Sequence, residues 1–594
     1  GRKFTGPVAP PGVAQPWYAI GSQGCHFQVE RGWGRWGTQG EPYTGNFDPE
    51  ANPRKAGIRC QTVRSYRRGD RVGIGQADLC LKKGQRYVGF VAVRSTDSPR
   101  IDLSVESRTG RATHFRTVVQ PLEEGWDEHE FEFVAPSSDD GARLELAVTV
   151  PCVFSVGAMS LRRAETLQGM RTDVIDMLEQ MSVPILRWPG GNFAGCYRWR
   201  DGLLPVHHRA PLPGGGILPD TYGHDDHDIG TDEFVALCRK IGAEPWITIN
   251  VSLEGPEEAA AWVEYCNGSV DTEWGSRRGE RGNSEPYGVK YWSLGNEMGY
   301  GHMQGPNTPE EYGKCAAECA KAMKAVDPSI VLVASGTWWR EEWFSAVLAK
   351  QGKWFDHVSY HEYTTLVREF AGDEGAKEVR RLACSPAGCT LEALRQVRER
   401  ITAHGPSGRD TGISFDEWNV WHTWFGNPGV PEAMHASAML NMFCREAEAI
   451  GLSIGAYFEP VNEGAIRVEQ DRAALTPTGQ VFGLFRAHHG NARIQVASPG
   501  PSDALDLAAS VVEETGELVV TAVNRDPSAG ATALITFEGV GGISSVSGEV
   551  LASRDFTPGS EFTSRKLNAS HVGGGRVKMA LPSCAVALLR VSLK

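Results

Sequence analysis

The sequence predicts an α/β fold, a (β/α)8 TIM barrel flanked by an N-terminal and a C-terminal β-sandwich, and three observations predict it. At 594 residues the chain is too long for one hydrophobic core, which stops growing at roughly 250–300 residues. Its middle alternates apolar strand-like runs with helical ones, the pattern of parallel βα units. Its two ends carry short alternating runs broken by Gly, Asp, Ser and Pro, the texture of antiparallel sandwiches.

The first segment, residues 1–165, reads as β from about residue 25, with alternating runs from Tyr87 to Val93 and from Arg143 to Val150. Its aromatics Trp33, Trp36, Tyr43 and Trp126 suit either stacking on sugar rings or packing in the core. The second segment, residues 166–483, holds seven strand candidates at 184–188, 244–251, 291–295, 330–335, 357–360, 412–415 and 454–458. Helices are expected between them over 231–241, 308–326 and 391–404. Thr308-Pro309-Glu310-Glu311 is a strong helix start, with a Thr cap, Pro at the first position and acids in the first turn. Seven strands with sizeable loops favour a closed barrel over an open sheet, and no Gly-x-Gly-x-x-Gly turn follows the early strands to suggest a dinucleotide site. In the third segment, residues 484–594, β runs return at 518–523, 532–537 and 585–591.

Composition narrows the partners. The chain is 41% hydrophobic and 22% charged, ordinary for a globular protein. No run of about 18 apolar residues is present, so no membrane span is expected. The start, Gly1 to Pro7, lacks the apolar core of a signal peptide, and localisation stays open between cytoplasmic and secreted with a processed start. A formal charge of −13 argues against a nucleic-acid partner, whose phosphates demand a basic face; a neutral carbohydrate fits it better. No cofactor or metal motif stands out. Cys315 and Cys319 lie one helical turn apart without a second pair to complete a zinc set, and read as small buried hydrophobes. Cys384 and Cys389 bracket four residues and are spaced to close a small disulfide loop.

In a barrel the working residues sit at the C-terminal ends of strands. Two carboxylates stand there. Glu297 follows Ser293-Leu294-Gly295-Asn296, and Glu417 follows Gly412-Ile413-Ser414-Phe415-Asp416. With the seven runs numbered as strands two to eight, the pair lies on strands four and seven, facing each other across the mouth. Hydrolysis of a glycosidic bond requires such a pair: one protonated carboxyl for the leaving oxygen and one ionised carboxylate for the anomeric carbon. A separation of about 5 Å gives retention, and about 6.5 Å or more leaves room for water and gives inversion. Asp416 competes with Glu417, but strand alternation points it to the opposite side.

These and neighbouring motifs resemble glycoside hydrolase family 51, chiefly α-L-arabinofuranosidases with some endoglucanases. The resemblance is carried by Arg187-Trp188-Pro189-Gly190-Gly191-Asn192-Phe193, Glu264-Tyr265-Cys266-Asn267, the stretch from Glu285 to Trp292, Gly295-Asn296-Glu297-Met298, and Ser414 to Trp421. It runs from about 165 to 425, while the tail around Val550 to Phe556 resembles that family's C-terminal β domain and the front segment a carbohydrate-module-like insert. The resemblance implies that Glu297 is the acid/base and Glu417 the nucleophile. It implies further that Asn296 bonds the hydroxyl beside the anomeric carbon, that Asn192 holds the reacting sugar, that Tyr363 donates to the nucleophile and that Trp421 forms an apolar wall. Tyr222 and His361 are expected to be further substrate contacts. The implied activity is retaining release of terminal arabinofuranose from plant polysaccharide side chains or oligosaccharides, without cofactor, by a possible homo-oligomer. The alternatives are an endo-glucanase or other glycosidase of the same family, or a non-catalytic carbohydrate-binding protein.

Two departures bear on the substrate. The family's first barrel strand has 17–27 as its only candidate here, and Gln23, Cys25 and His26 do not match its pattern. The 222–228 loop, Tyr222 to Asp228 with three Asp and two His in 224–228, stands where the family has a Glu-Thr-Asn stretch. An altered sugar pocket or solvated loop is expected there in preference to a metal site.

Overall fold

A computed structural model describes residues 4, 8–21, 24–31, 59–121, 125–209, 212–213, 224–301, 303–364, 386–420, 428–458, 461, 464–497, 505–526 and 528–594. They gather into two compact units, one formed by Gly1–Thr172 with Asn192–Leu237, the other by Asp173–Gly191 with Cys238–Lys594.

The first unit holds two antiparallel five-stranded sheets. One is ordered Asp127–Val134, Arg86–Ser95, Cys152–Arg163, Arg59–Ser65, Cys25–Arg31, and the other Tyr18–Ile20, Val72–Leu81, Asp139–Val148, Ile101–Glu106, Thr113–Val119. Alternation of apolar positions sends Val91, Val93, Leu103, Val105, Leu144, Leu146 and Phe154 into one core, as a sandwich requires. The 17–27 segment belongs here and does not supply a barrel strand. Tyr18–Ile20 pairs antiparallel with Val72–Leu81, Cys25–Arg31 pairs with Arg59–Ser65, and Trp17 and Phe27 are buried in the sandwich core. The apolar side chains of this run are thus already committed to sandwich partners. Trp126 packs against a small cluster of Cys60, Phe90, Ala92 and Ala158, with the Arg94 guanidinium 4.9 Å from its ring centre, so its role is packing; Trp33, Trp36 and Tyr43 lie outside the described residues. In the same unit His207 stacks on Phe90 at 3.6 Å and His208 Nε2 lies 2.7 Å from Glu128 Oε1, so part of the long segment after the first parallel strand is held on the sandwich.

In the second unit seven parallel strands form one sheet in chain order: Ile185–Trp188, Glu244–Ile249, Tyr291–Leu294, Val331–Ala334, His357–Thr364, Gly412–Val420 and Leu452–Tyr457. The edge strands Ile185–Trp188 and Leu452–Tyr457 come within 8 Å of each other, so the barrel is nearly closed, with no eighth strand among the described residues. Each strand overlaps the run read from the sequence. Two continue past it, into His361 to Thr364 and Asp416 to Val420, and those polar extensions carry the site. Among the helices, Pro309–Val326 starts with a capping box between Thr308 and Glu311, as its sequence dictates. No described helix is long and apolar enough to cross a membrane.

The unit ends in a sandwich of a six-stranded and a three-stranded sheet, built from Ala492–Ile494 to Ala585–Leu593. The helix Val430–Ile450 fastens it to the barrel. Val430, Ala433 and Met434 share an apolar cluster with Val523, Leu551 and Val586. Beside it, Asn441 accepts from Thr521 Oγ1 at 2.7 Å and donates to Asp506 at 3.2 Å, and Arg445 and Arg525 pair with the same Asp506. The helix and the sandwich therefore share both an apolar and a charged, hydrogen-bonded contact.

Candidate active site

The strand that carries Glu417 is irregular at the residue just before it. Along Gly412–Val420 the register with the neighbouring strand is regular to Tyr360 opposite Phe415, and then His361 faces Glu417, so Asp416 is an inserted residue. The pairing with Leu452–Tyr457 shifts at the same place, between Phe415 and Trp418. A bulge of this kind bends the strand and re-aims its side chains. It corrects the expectation that Asp416 points away from Glu417: both carboxylates are buried, at 2% and 3% exposure, and both reach the same cluster of partners.

Glu297 reaches that cluster from the end of Tyr291–Leu294 through a left-handed turn. Gly295 has φ of +83° and Glu297 itself +46°. A Cβ at Gly295 would fall 2.5 Å from Val251 Cγ2, so only glycine fits there. At Glu297 the conformation costs on the order of 1 kcal/mol. Gly191, with φ of +56°, brings the chain close to Glu417: a Cβ there would sit 3.0 Å from the Phe458 ring and 4.0 Å from Glu417 Oε1.

Two cations bind the carboxylates together. Arg187, at the end of the first parallel strand, donates from Nη1 to Glu417 Oε1 at 2.9 Å and from Nη2 to Asn296 Oδ1 at 2.7 Å, with Nε 3.7 Å from Asp416 Oδ2. His361 places Nδ1 3.0 Å from Glu297 Oε1 and 3.3 Å from Glu417 Oε2, and Nε2 3.2 Å from Asp416 Oδ1. Ser359 donates to Asp416 at 2.7 Å and Tyr363 to Glu417 Oε2 at 2.5 Å. Phe458 stands edge-on to Tyr363 at 6.0 Å and supplies an apolar wall.

The electrostatics follow from this packing. Burial opposes charge on the His361 ring, yet Glu417 and Asp416 hold its pKa up at about 10, so it is an imidazolium at neutral pH. Burial also works against a charged Asp416, but His361 and Arg187 keep its carboxyl below the usual carboxylate range. For Glu417 burial wins and raises the pKa, with Glu297 adding to it against the pull of His361 and Arg187. Tyr363, buried beside Glu417, titrates well above its ordinary value and remains a donor. Ligand-type atoms of Glu297, His361 and Glu417 all lie within 4.8 Å of one another. One carboxylate oxygen of each glutamate therefore lies within 4.8 Å of the other, close to the roughly 5 Å separation that suits direct attack.

His361→Gln tests the assignment of charge. Because the folded pKa is raised from 6.5 to about 10, the imidazolium's contribution to stability is complete below about pH 6.5 and is lost as the pH rises through about 10. The wild-type melting temperature is expected to fall across that window and the variant's to lose this fall. The variant's acid limb of kcat/KM should also move to higher pH, since a cation that lowers the Glu417 pKa is gone. Parallel melting curves for the two proteins from pH 7 to 10.5 would contradict the charge state.

Of the residues expected at the site, the structure brings together Glu297, Glu417, Asn296, Tyr363 and His361. His361 faces carboxylates with both ring nitrogens, which makes it a positioning group. Asn192 opens a short 3-10 turn, Asn192–Gly195, in the first unit. Trp421 and Tyr222 lie outside the described residues. The described part of the 222–228 loop is not simply solvated: His227 is 1% exposed, its N–H donates to Asp225 Oδ1 at 2.6 Å, and Arg209 bonds the carbonyls of His227 and Asp228 while pairing with Glu233. Among the described residues no three metal-ligating groups of this loop converge. Sequence reasoning gave no role to Arg187, Asp416, Ser359 or Phe458. The one signal for Arg187 was its place at a strand end, in the motif leading to Asn192.

Residues 177–374 match the family model described as Alpha-L-arabinofuranosidase 1 domain. Over 305 residues the chain is 33% identical to Alpha-L-arabinofuranosidase C of Emericella nidulans, covering 48% of this chain and 59% of that relative. The chain thus spans a little over half the length of this curated relative. Among solved structures, the GH51 α-L-arabinofuranosidase of Thermotoga petrophila is 28% identical, with a TM-score of 0.61 over 72% of this chain and 92% of that one. The arabinose-bound MgGH51 α-L-arabinofuranosidase aligns with all of this chain and 94% of its own, at a TM-score of 0.76 and 14% identity, which extends the likeness of fold to the whole length. A barrel with a pair of carboxylates at its strand ends is the arrangement that hydrolysis of a glycosidic bond requires. The chain is thus similar to family 51 α-L-arabinofuranosidases, in sequence over part of its length and in fold.

Proposed function

We propose that this protein is a retaining α-L-arabinofuranosidase, releasing terminal arabinofuranosyl residues from plant polysaccharide side chains or oligosaccharides. The observation that carries the mechanism is the spacing of Glu297 and Glu417, whose carboxylate oxygens approach within 4.8 Å, as a double displacement needs. Glu417 attacks the anomeric carbon and the bond to the departing oxygen breaks, while Glu297 gives that oxygen its proton. Glu297 then takes a proton from water, which displaces Glu417 and restores the starting configuration. Arg187 and Tyr363 orient the nucleophile, and Asn296, whose amide oxygen is held by Arg187, turns its N–H groups away from that bond toward a sugar hydroxyl. The names of the relatives supply the sugar.

The three carboxylate and imidazole groups are read as an acid–nucleophile pair with its positioning cation and not as a metal centre. A metal would have to displace both the Arg187 guanidinium and the His361 imidazolium from Glu417. The division at residues 165 and 483, with the front sandwich as a carbohydrate-module-like domain, is part of the same reading.

Proton NMR during hydrolysis of 4-nitrophenyl α-L-arabinofuranoside tests it. The first sugar formed is expected to be the α-anomer, which then mutarotates. Release of the β-anomer first would overturn retention, and no release from this glycoside, with turnover of another on a panel of nitrophenyl glycosides, would overturn the sugar.

A further inference from the structure

The loop after the strand Val331–Ala334 carries two adjacent tryptophans with opposite fates. Trp338 is buried, donates to the Ala334 carbonyl at 3.2 Å and packs on Trp343 and Phe344. Trp339 is 47% exposed and is the one exposed tryptophan among the described residues. It is not a loose end. Its carbonyl accepts from Arg400 Nη1 at 2.8 Å, and the Tyr300 ring stands edge-on to it at 4.7 Å and 89°. Tyr300 in turn closes the turn after Glu297, its N–H bonding the Glu297 carbonyl at 3.2 Å, and its ring lies 6.5 Å from that of His361.

The site is therefore lined asymmetrically. Arg187, Tyr363 and Phe458 crowd the nucleophile, which faces the sugar that becomes covalently bound. Tyr300 and Trp339 extend from the acid/base, which faces the departing oxygen. We propose that Trp339, braced by Tyr300, is the stacking platform for the sugar on the leaving-group side, and that this sugar is a pyranose. A pyranose chair offers a broad flat face of C–H bonds that covers an indole, whereas a puckered furanose offers a smaller one. A large apolar ring held rigid and left uncovered beside a polar catalytic cluster is what such a subsite requires. Arabinofuranose carried on a pyranoside backbone thus becomes the preferred substrate class. This rests on the arabinofuranosidase reading for the bond that is cut, but not for the ring that stacks.

The deciding experiment is titration of wild type and Trp339→Ala with xylotetraose, a pyranose chain with no arabinose, followed by tryptophan fluorescence and calorimetry. Saturable binding is expected for wild type, weakened about tenfold in Trp339→Ala and largely restored in Trp339→Phe. No saturable binding by wild type, or equal dissociation constants in wild type and Trp339→Ala, would overturn the platform. In turnover, kcat/KM for an arabinofuranosyl xylo-oligosaccharide should fall about tenfold more in Trp339→Ala than kcat/KM for α-L-arabinofuranosyl fluoride, which has no leaving-group ring. Equal losses on the two substrates would show a structural defect and also overturn it. If wild type cleaves neither substrate, the arabinofuranosidase reading fails by itself, and the xylotetraose titration still decides the platform.

Discussion

Glu417→Ala is expected to reduce turnover by about 10⁴-fold or more, because it removes the group that forms the covalent intermediate and leaves no side chain able to replace it. Asp416 is the obvious substitute, being equally buried and one residue away, but the His361 and Arg187 charges and the Ser359 bond tie it down. The variant also leaves the buried Arg187 without its 2.9 Å partner, a type of change that destabilises by about 3–5 kcal/mol. A melting curve and Glu417→Gln, which keeps the shape, separate lost chemistry from lost folding. Azide supplied to Glu417→Ala with an activated aryl arabinofuranoside should produce the β-glycosyl azide, since the small anion attacks from the vacated face. Turnover of Glu417→Ala within tenfold of wild type would remove Glu417 from the role.

The second large effect depends on the leaving group. Glu297→Ala should lower the rate for alkyl or sugar leaving groups by about 10²–10⁴-fold, the usual worth of a positioned general acid. For 2,4-dinitrophenyl arabinofuranoside, whose phenolate departs unaided, the first step should be nearly unaffected. Water then lacks its base, the glycosyl-enzyme accumulates, and a burst of dinitrophenolate followed by a low apparent KM is the expected signature. Azide in this variant should give the α-azide, the opposite configuration from the Glu417 case. Equal losses on the two leaving groups would assign Glu297 a structural task. The two variants make a matched pair: one cannot start the cycle and the other cannot finish it.

The barrel was legible because its strand cores are short apolar runs, each followed by loop or helix, and such runs read the same in any context. What was not legible was where two of those strands stop. His361-Glu362-Tyr363 and Asp416-Glu417-Trp418-Asn419 continue in extended conformation although they are polar and buried. They are stabilised by groups distant in sequence: Tyr363 bonds a residue 54 positions away, and Arg187 bonds Glu417 across 230 positions. Alternation likewise says nothing of a bulge, and so Asp416 was placed on the wrong face. Glu297 and Glu417 were visible because strand ends in a barrel are where polar residues need an explanation other than packing. The 17–27 run shows the converse difficulty. Its apolar residues fit an inner strand of either architecture, and only the partners available to them decide between the two.

The left-handed backbone at Glu297 has a consequence for how such a sequence persists. Glycine at that position would relieve the conformation, but at the cost of a looser unfolded chain and of a carboxylate that faces the His361 imidazolium at 3.0 Å. An inert sugar-binding relative is therefore one replacement distant, with Glu417, its arginine and the surrounding aromatics still in place. Continued demand for catalysis holds the acid where it is.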